Sequence, residues 1–379
     1  MYLLYNVKMK KILFITNRLN KDNKNGANIV ANRNYNNLLK INDGKNVEFF
    51  FIENKKRVKK LLLEIFCGRL ENISLFDEEK ICKLILKNKI EVVFLDTSCY
   101  GFLAHKIKKE FKEKVKIITF CHEITQGLYK SILKNKEINF KKLLRFKKLL
   151  KNSKVNEKLS FENSDKIITL NKRDTRLLLK EYKFKSNIEI PVTFPIKKID
   201  REYKPYSLVK TFKLLFVGVG GFIPNMEGLN FFVKEVMPFI DAKLYIIGRG
   251  MENYREEYEN DKVIVIGTVE NLDYYYLDAD AVVAPIFTGG GMKVKTAEAL
   301  MYGKTIFGTT EAFEGYSLNY DKIGGLCNTP TEFVNKINNY IENYNGITEN
   351  EYSINIFKKK YSYKASEELF KKILKEVWC

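Results

Sequence analysis

Three glycines, two lysines and a glutamate open one stretch of this chain, Thr288-Gly289-Gly290-Gly291-Met292-Lys293-Val294-Lys295-Thr296-Ala297-Glu298. Residues of these types at this spacing hold phosphate. Glycines leave backbone N–H groups uncovered, a helix N-terminus carries partial positive charge, and lysines in the first turn add full charge, so an anion is favoured there. Glu298 stands five residues beyond Lys293, far enough to reach a ribose hydroxyl rather than a phosphate. Upstream, Ala281-Val282-Val283-Ala284-Pro285 reads as a short buried strand, and downstream Lys304-Thr305-Ile306-Phe307-Gly308-Thr309 reads as another. Strand, glycine loop, helix and strand in this order belong to an open α/β sheet, where ligands sit at the carboxyl ends of the strands.

Short apolar runs alternate with longer helical patterns from end to end, which predicts parallel sheets covered by helices on both faces. The strands are expected at Lys11 to Thr16, Val47 to Ile52, Val92 to Leu95, Val115 to Cys121, Lys166 to Leu170 and Ile188 to Ile190 in the first half. In the second half they are expected at Lys213 to Val217, Lys243 to Ile247, Val263 to Ile266, Ala281 to Ala284 and Thr305 to Phe307. The fold class is thus α/β, with two Rossmann-like, doubly wound parallel-sheet domains facing a cleft. Pro191-Val192-Thr193-Phe194-Pro195 and the polar stretch to Pro205 hold three of the seven prolines and read as a linker. Residues 1–205 and 206–355 are expected to form the two domains, and residues 356–379 a helix packing back on the first.

Composition agrees with two cores, since 379 residues are long for one and 45% are hydrophobic. Six cysteines without a CxxC pair, and two histidines, His105 and His122, give no zinc spacing; no metal is expected, and the setting is read as a reducing cytoplasm. No apolar run approaches the roughly 18 residues of a membrane span, so the protein is expected to be neither secreted nor integral. The net charge of +20 is uneven: residues 1–200 hold 45 Lys and Arg against 22 Asp and Glu, so the whole excess lies in the first half. Between Asn139 and Lys158, Phe140, Leu143, Leu144 and Leu150 fall at helical spacing among seven basic residues. Two readings stand side by side for Phe140 to Lys154. Such a helix lies on an anionic membrane surface, each basic residue contributing about 1 kcal/mol, or it covers the sheet with a solvated basic face.

Other candidates are sparser. His122 directly follows the strand Ile117-Ile118-Thr119-Phe120-Cys121, a position open to a structural or a catalytic role. Asn25-Gly26-Ala27-Asn28 follows the first strand and opens a helix, so Gly26 and Ala27 either bring N–H groups toward a phosphate or acceptor or form a plain turn. Asp278-Ala279-Asp280 has the look of a metal-binding triplet but lies between a helix and a strand, and reads as structural.

Four motifs in order carry a family resemblance: Phe216-Val217-Gly218-Val219-Gly220-Gly221-Phe222-Ile223-Pro224-Asn225-Met226-Glu227-Gly228-Leu229, Tyr245-Ile246-Ile247-Gly248, the Gly289 to Leu300 loop and Glu311-Ala312-Phe313-Glu314-Gly315. Together they resemble bacterial nucleotide-sugar glycosyltransferases of the GT-B fold, in the retaining family 4 group, which implies that the strongly basic domain 1–205 binds the acceptor and the domain 206–355 the nucleotide-sugar donor. The resemblance implies that Lys293 and Lys295 bind the donor diphosphate, that Glu298 holds the ribose, and that Gly289, Gly290 and Gly291 approach the phosphates or sugar. It further implies that Gly218, Gly220 and Gly221 line the cleft, that Val269 borders the base, that residues near Glu314 meet the sugar, and that His122 faces the donor sugar in an electrostatic role. With Lys293 and Lys295, His122 completes the catalytic set expected. Many relatives carry a second acid eight positions before the ribose-binding glutamate; here that position is Gly290. The implied activity is transfer of a sugar from a nucleotide sugar to a saccharide or lipid-linked acceptor in surface polysaccharide or lipopolysaccharide assembly, with no cofactor and no nucleic acid partner. Two alternatives stay open: an epimerase of the same fold, and a non-catalytic basic membrane- or nucleic-acid-binding protein, which would account for the basic half but not for the donor motifs.

Overall fold

Ile12–Thr16 and Val92–Leu95, in the first part of the chain, are short, largely apolar and buried at every position, so no alternating pattern marks them. β1 (Ile12–Thr16), β2 (Val47–Phe51), β3 (Val92–Leu95), β4 (Lys116–Cys121), β5 (Lys166–Thr169) and β6 (Ile188–Glu189) form a parallel sheet in the order β2-β1-β3-β4-β5-β6. The structure, a computed structural model, describes residues 9–18, 26–53, 55–65, 67–133, 140–197 and 211–378. Successive side chains of β1 serve opposite layers. Leu13 and Ile15 join a core with Ile81, Ile107 and Val93, whereas Phe14 stacks on Phe94 at 5.4 Å, and Phe94 on Phe120 at 6.3 Å. The basic helix runs Phe140–Glu162 and crosses the helix Gly101–Phe111 so closely that a Cβ on Gly101 would lie 2.0 Å from the Asn156 carbonyl oxygen. Asn139 lies outside the described residues.

The second sheet holds β7 (Phe212–Val217), β8 (Ala242–Ile247), β9 (Val263–Gly267), β10 (Ala281–Ala284), β11 (Thr305–Gly308) and β12 (Gly324–Leu326), all parallel, in the order β12-β11-β10-β7-β8-β9. The eleven strands expected from sequence are all present, with ends displaced by one residue at most. β12 was not expected. Three residues, two of them glycine, make no apolar run, and only pairing with β11 defines the strand. The Asp278-Ala279-Asp280 triplet is spent on the sheet: Lys213 Nζ meets Asp278 at 2.9 Å, and the Lys213 N–H donates to Asp280 at 2.8 Å.

The chain divides into two compact units, one built up to Pro191 and rejoined by the chain from Ser366 onward, the other Val192–Ala365. This division falls before the expected boundary at 205, which itself lies outside the described residues, and the crossing back comes at Ser366 rather than 356. Side chains of the helix Tyr363–Trp378 explain where it sits: Asn37 donates to Ser366 Oγ at 2.9 Å, Lys166 pairs with Glu376 at 2.7 Å, and Phe370 lies 6.1 Å from Phe94. Among the described residues no helix is long and apolar enough to cross a membrane.

Candidate functional site

In the second unit β7 and β10 are neighbours although three strands apart in sequence order. Strand order reverses there, and the crevice outside the carboxyl ends of such a pair is where open α/β sheets take ligands. Two loops leave from it, the glycine loop Gly218, Gly220 and Gly221 after β7 and the loop through Gly289, Gly290 and Gly291 after β10. Gly289 and Gly291 adopt φ of 138° and 57°, values a side chain would resist, and the chain turns from them into the helix Val294–Met301. Its N-cap, Lys293, makes no side-chain capping bond, so the first N–H groups are left to an incoming anion.

The two lysines are held differently. Lys293 Nζ donates to the carbonyls of Gly290 and Gly291 at 3.1 and 3.2 Å and pairs with Glu311 Oε1 at 2.6 Å. Lys295 Nζ lies 4.7 Å from the Phe216 ring and donates to Asn225 Oδ1 at 2.8 Å, while Asn225 Nδ2 donates to Val219 O at 3.0 Å. Asn225 therefore ties the β7 loop to the β10 helix. Burial, and then the charge of Lys293, bring the Lys295 ammonium down to about 7. An arriving anion would reverse that fall, since opposite charge favours the protonated form.

One turn on, Glu298 shares the helix face of Lys295. Burial pushes its carboxyl up to about 7, against the pull of Lys197 and Lys295. The buried Tyr276 hydroxyl faces it, its ring stacked at 4.3 Å on Tyr302. When ionised, this carboxyl has two acceptor oxygens that can take hydrogen bonds from neighbouring donors. Val269 stands two residues beyond β9, the edge strand, on the same carboxyl side of the sheet. Glu314 lies in the turn after β11, where its N–H donates to Glu311 O at 3.3 Å; the carboxylate meeting Lys293 is that of Glu311. Neither Asn225 nor Glu311 stood among the sequence candidates, although both fall inside the motifs quoted above. Glu227 was likewise missed, and its carboxylate accepts from Thr288 Oγ1 at 2.9 Å.

The first unit has its own strand reversal, between β1 and β3, and a polar cluster occupies it. Asp96, next after β3 and fully buried, accepts from Thr16 Oγ1 at 2.9 Å and from Asn34 Nδ2 at 2.8 Å, with His122 Nε2 at 3.3 Å. Arg18 donates to Asp96 O at 3.3 Å and to Glu71 Oε1 at 3.0 Å, and Asn17 donates to Glu71 Oε2 at 2.8 Å. Burial lowers the His122 pKa despite Asp96, so the imidazole is neutral at neutral pH. Glu71 and Asp96 outweigh burial and keep Arg18 firmly charged; Arg18 in turn helps hold Glu71 below the usual carboxylate range against burial. Gly26 and Ala27 open the helix Gly26–Ile41, which reaches this cluster through Asn34, about two turns beyond them. Asp96, Arg18 and Glu71 were not read from sequence. The available signal was an acid immediately after the apolar run Val92-Val93-Phe94-Leu95.

Comparison with known proteins follows this geometry. Residues 211–343 match the family model described as Glycosyl transferases group 1. The whole chain has the GT-B architecture of two Rossmann-like domains. It superposes on sucrose-phosphate synthase from Thermosynechococcus elongatus with a TM-score of 0.72 at 14% identity, covering 98% of this chain and 99% of that one. The lipopolysaccharide outer core galactosyltransferase WaaB, without ligand, gives a TM-score of 0.64 at 15% identity over 96% of this chain and 99% of that one. HepE of Anabaena in complex with UDP gives 0.65 at 11% identity over 97% of this chain and 100% of that one. In sequence, an uncharacterized 44.6 kDa protein in the cps region of Klebsiella pneumoniae is 26% identical over 263 residues, and the match spans 65% of this chain and 65% of that relative.

Proposed function

We propose that this chain is a glycosyltransferase that moves a sugar from a nucleoside diphosphate donor to a hydroxyl of a saccharide or lipid-linked acceptor, in bacterial surface polysaccharide or lipopolysaccharide assembly. One observation carries the reading: Lys293 and Lys295 flank an uncapped helix N-terminus at the strand reversal of the second unit, with Glu298 one turn on. The family match over the same residues supports it, as do the UDP and UDP-glucose complexes of HepE, the galactosyltransferase name of WaaB and the cps-region relative.

In the proposed reaction the bond from the anomeric carbon to the diphosphate oxygen breaks, a bond to the acceptor oxygen forms, and the acceptor proton departs. Negative charge grows on the leaving diphosphate. Lys293, Lys295 and the helix N-terminus face that charge in a water-poor site, where fixed donors are most effective. Glu298 is assigned the ribose hydroxyls, Val269 the edge of the base, and the backbone of Gly218, Gly220, Gly221, Gly289, Gly290 and Gly291 the phosphates and sugar. His122, neutral beside Asp96, is assigned a hydrogen bond to the donor sugar or leaving phosphate, and Gly26 and Ala27 an acceptor or phosphate contact. The transfer is proposed to run without metal or cofactor. The protein is placed in the cytoplasm, peripheral at the inner face of the membrane through Phe140 to Lys154, where Phe140 and Leu144 are exposed among lysines.

Thermal unfolding with a panel of nucleotide sugars tests this. One donor at 100 times its Kd is expected to add about 2.7 kcal/mol. A panel in which no nucleoside diphosphate or its sugar raises the melting temperature would sink the assignment.

A further inference from the structure

Tyr276 lies within the second unit on the helix Asp273–Asp278, its side chain fully buried. Its ring is fixed in plane, stacked at 4.3 Å and within 8° of parallel on Tyr302. Tyr302 is held in turn: its hydroxyl donates to Asp273 and accepts from Lys197 Nζ at 2.9 Å, and Lys197 also pairs with Asp273. Asp273 and Tyr276 stand three apart on one helix, Glu298 and Tyr302 four apart along the next, so each pair shares a face. Lys197 belongs to the stretch read from sequence as a linker, yet its charge reaches Glu298.

The Tyr276 hydroxyl lies beside the Glu298 carboxyl, close enough for each to shift the other's pKa. It falls short of a hydrogen bond there, and no other described residue supplies one. A buried hydroxyl left in this way is unfavourable and uncommon in folded proteins. Burial, and then the Glu298 charge, raise the phenol well above its ordinary range, so it stays protonated and remains a donor. Glu298 supplies the acceptors, since an ionised carboxylate has about four lone-pair sites, enough for Tyr276 and two ribose hydroxyls. The last torsion of a glutamate is soft. A donor carried on a fixed ring selects one orientation of the two oxygens.

We propose that Tyr276 is the positioning residue of the ribose subsite: when the donor binds, its hydroxyl donates to Glu298 and turns both carboxylate oxygens toward the 2′- and 3′-hydroxyls. The choice of ribose over 2′-deoxyribose then belongs to the pair and not to Glu298 alone. The inference rests on the assignment of Glu298 to the ribose and names what makes that carboxylate selective.

Calorimetric titration of the full chain with UDP and with 2′-deoxy-UDP tests it. The wild type is expected to bind UDP at least about tenfold more tightly, because an analogue lacking a hydroxyl leaves the groups built to meet it unpaired. Tyr276→Phe keeps the ring, and is expected to reduce that preference to about threefold or less, chiefly through weaker UDP binding. Its melting temperature without nucleotide should match the wild type, since the hydroxyl removed has no hydrogen bond to lose. If Tyr276→Phe weakens both nucleotides by one factor, or leaves both at wild-type affinity, the preference is untouched and the proposal is overturned. Glu298→Gln separates that failure from a failure of the ribose assignment: loss of the preference in Glu298→Gln but not in Tyr276→Phe means that Glu298 holds the ribose without Tyr276. Equal binding of the two nucleotides by the wild type overturns the ribose assignment together with the proposal, and leaves the diphosphate site standing. Where the thermal panel selects another nucleoside diphosphate, that compound and its 2′-deoxy form replace UDP; a chain that binds none loses the donor reading and this inference with it.

Discussion

At the scale of residues, the donor loop separates two lysines that the sequence presents as equivalents. Lys293 is neutralised by Glu311 and two carbonyls, whereas Lys295 has an amide, an aromatic face and a buried setting. Lys293→Ala and Lys295→Ala are each expected to lower turnover by about 100-fold or more, the scale of removing one preorganised donor from a developing anion; near wild-type rates in both variants would refute their roles. Lys295 also sets a pH dependence. Its ammonium titrates at about 7 in the free protein, and a bound diphosphate raises that value, so binding takes up a proton above pH 7. UDP affinity is therefore expected to be full below pH 7 and to fall as pH rises above it, approaching tenfold per pH unit. Titration in buffers of different ionisation enthalpy reads the proton uptake. Glu298 also titrates near 7, so the slope above pH 7 should persist in Glu298→Gln and vanish in Lys295→Ala.

At the scale of elements, the donor site depends on how closely a helix can cross a strand end. The helix Ile223–Glu235 passes β10 at Gly228, where a Cβ would lie 1.7 Å from the carbonyl oxygen of Pro285. Backbone cannot yield as a flexible side chain does. Gly228→Ala is expected to cost about 3 kcal/mol, the upper end of overpacking, and to weaken UDP binding because Pro285 begins the loop that leads to Lys293. Unaltered melting and UDP affinity would show that the crossing tolerates a methyl group. The strands themselves were legible in sequence, since runs such as Ile12-Leu13-Phe14-Ile15 and Val92-Val93-Phe94-Leu95 are apolar at every position and both faces are covered. β12 was not, because Gly324-Gly325-Leu326 is a strand only by virtue of its neighbour. The helix Phe140–Glu162 shows a mixed outcome. Its second half buries Asn152, Asn156 and Glu157, polar residues that no apolar periodicity would select, while Phe140 and Leu144 in its first half stay exposed.

At the scale of the whole molecule, the excess positive charge of residues 1–200 is matched by exposed lysines around those apolar residues. Neutralising Lys141, Lys142, Lys147 and Lys148 is expected to weaken binding to anionic liposomes by several kcal/mol in total, at about 1 kcal/mol per basic residue. Co-sedimentation at low and high salt measures it, and equal binding by the variant would remove the membrane reading. By itself the sequence determined the α/β class, the succession of strands and the phosphate-binding character of Gly289 to Glu298, because each follows from local residue types: apolar runs, glycines and lysines at a helix start. Tertiary structure alone decided which partners those residues meet. Asn225 with Lys295 and Glu311 with Lys293 join residues 70 and 18 positions apart, and Thr16, Asn34, Asp96 and His122 converge from four separate elements. Strand order creates these meetings, since a parallel sheet brings its carboxyl ends to one edge whatever their distance along the chain.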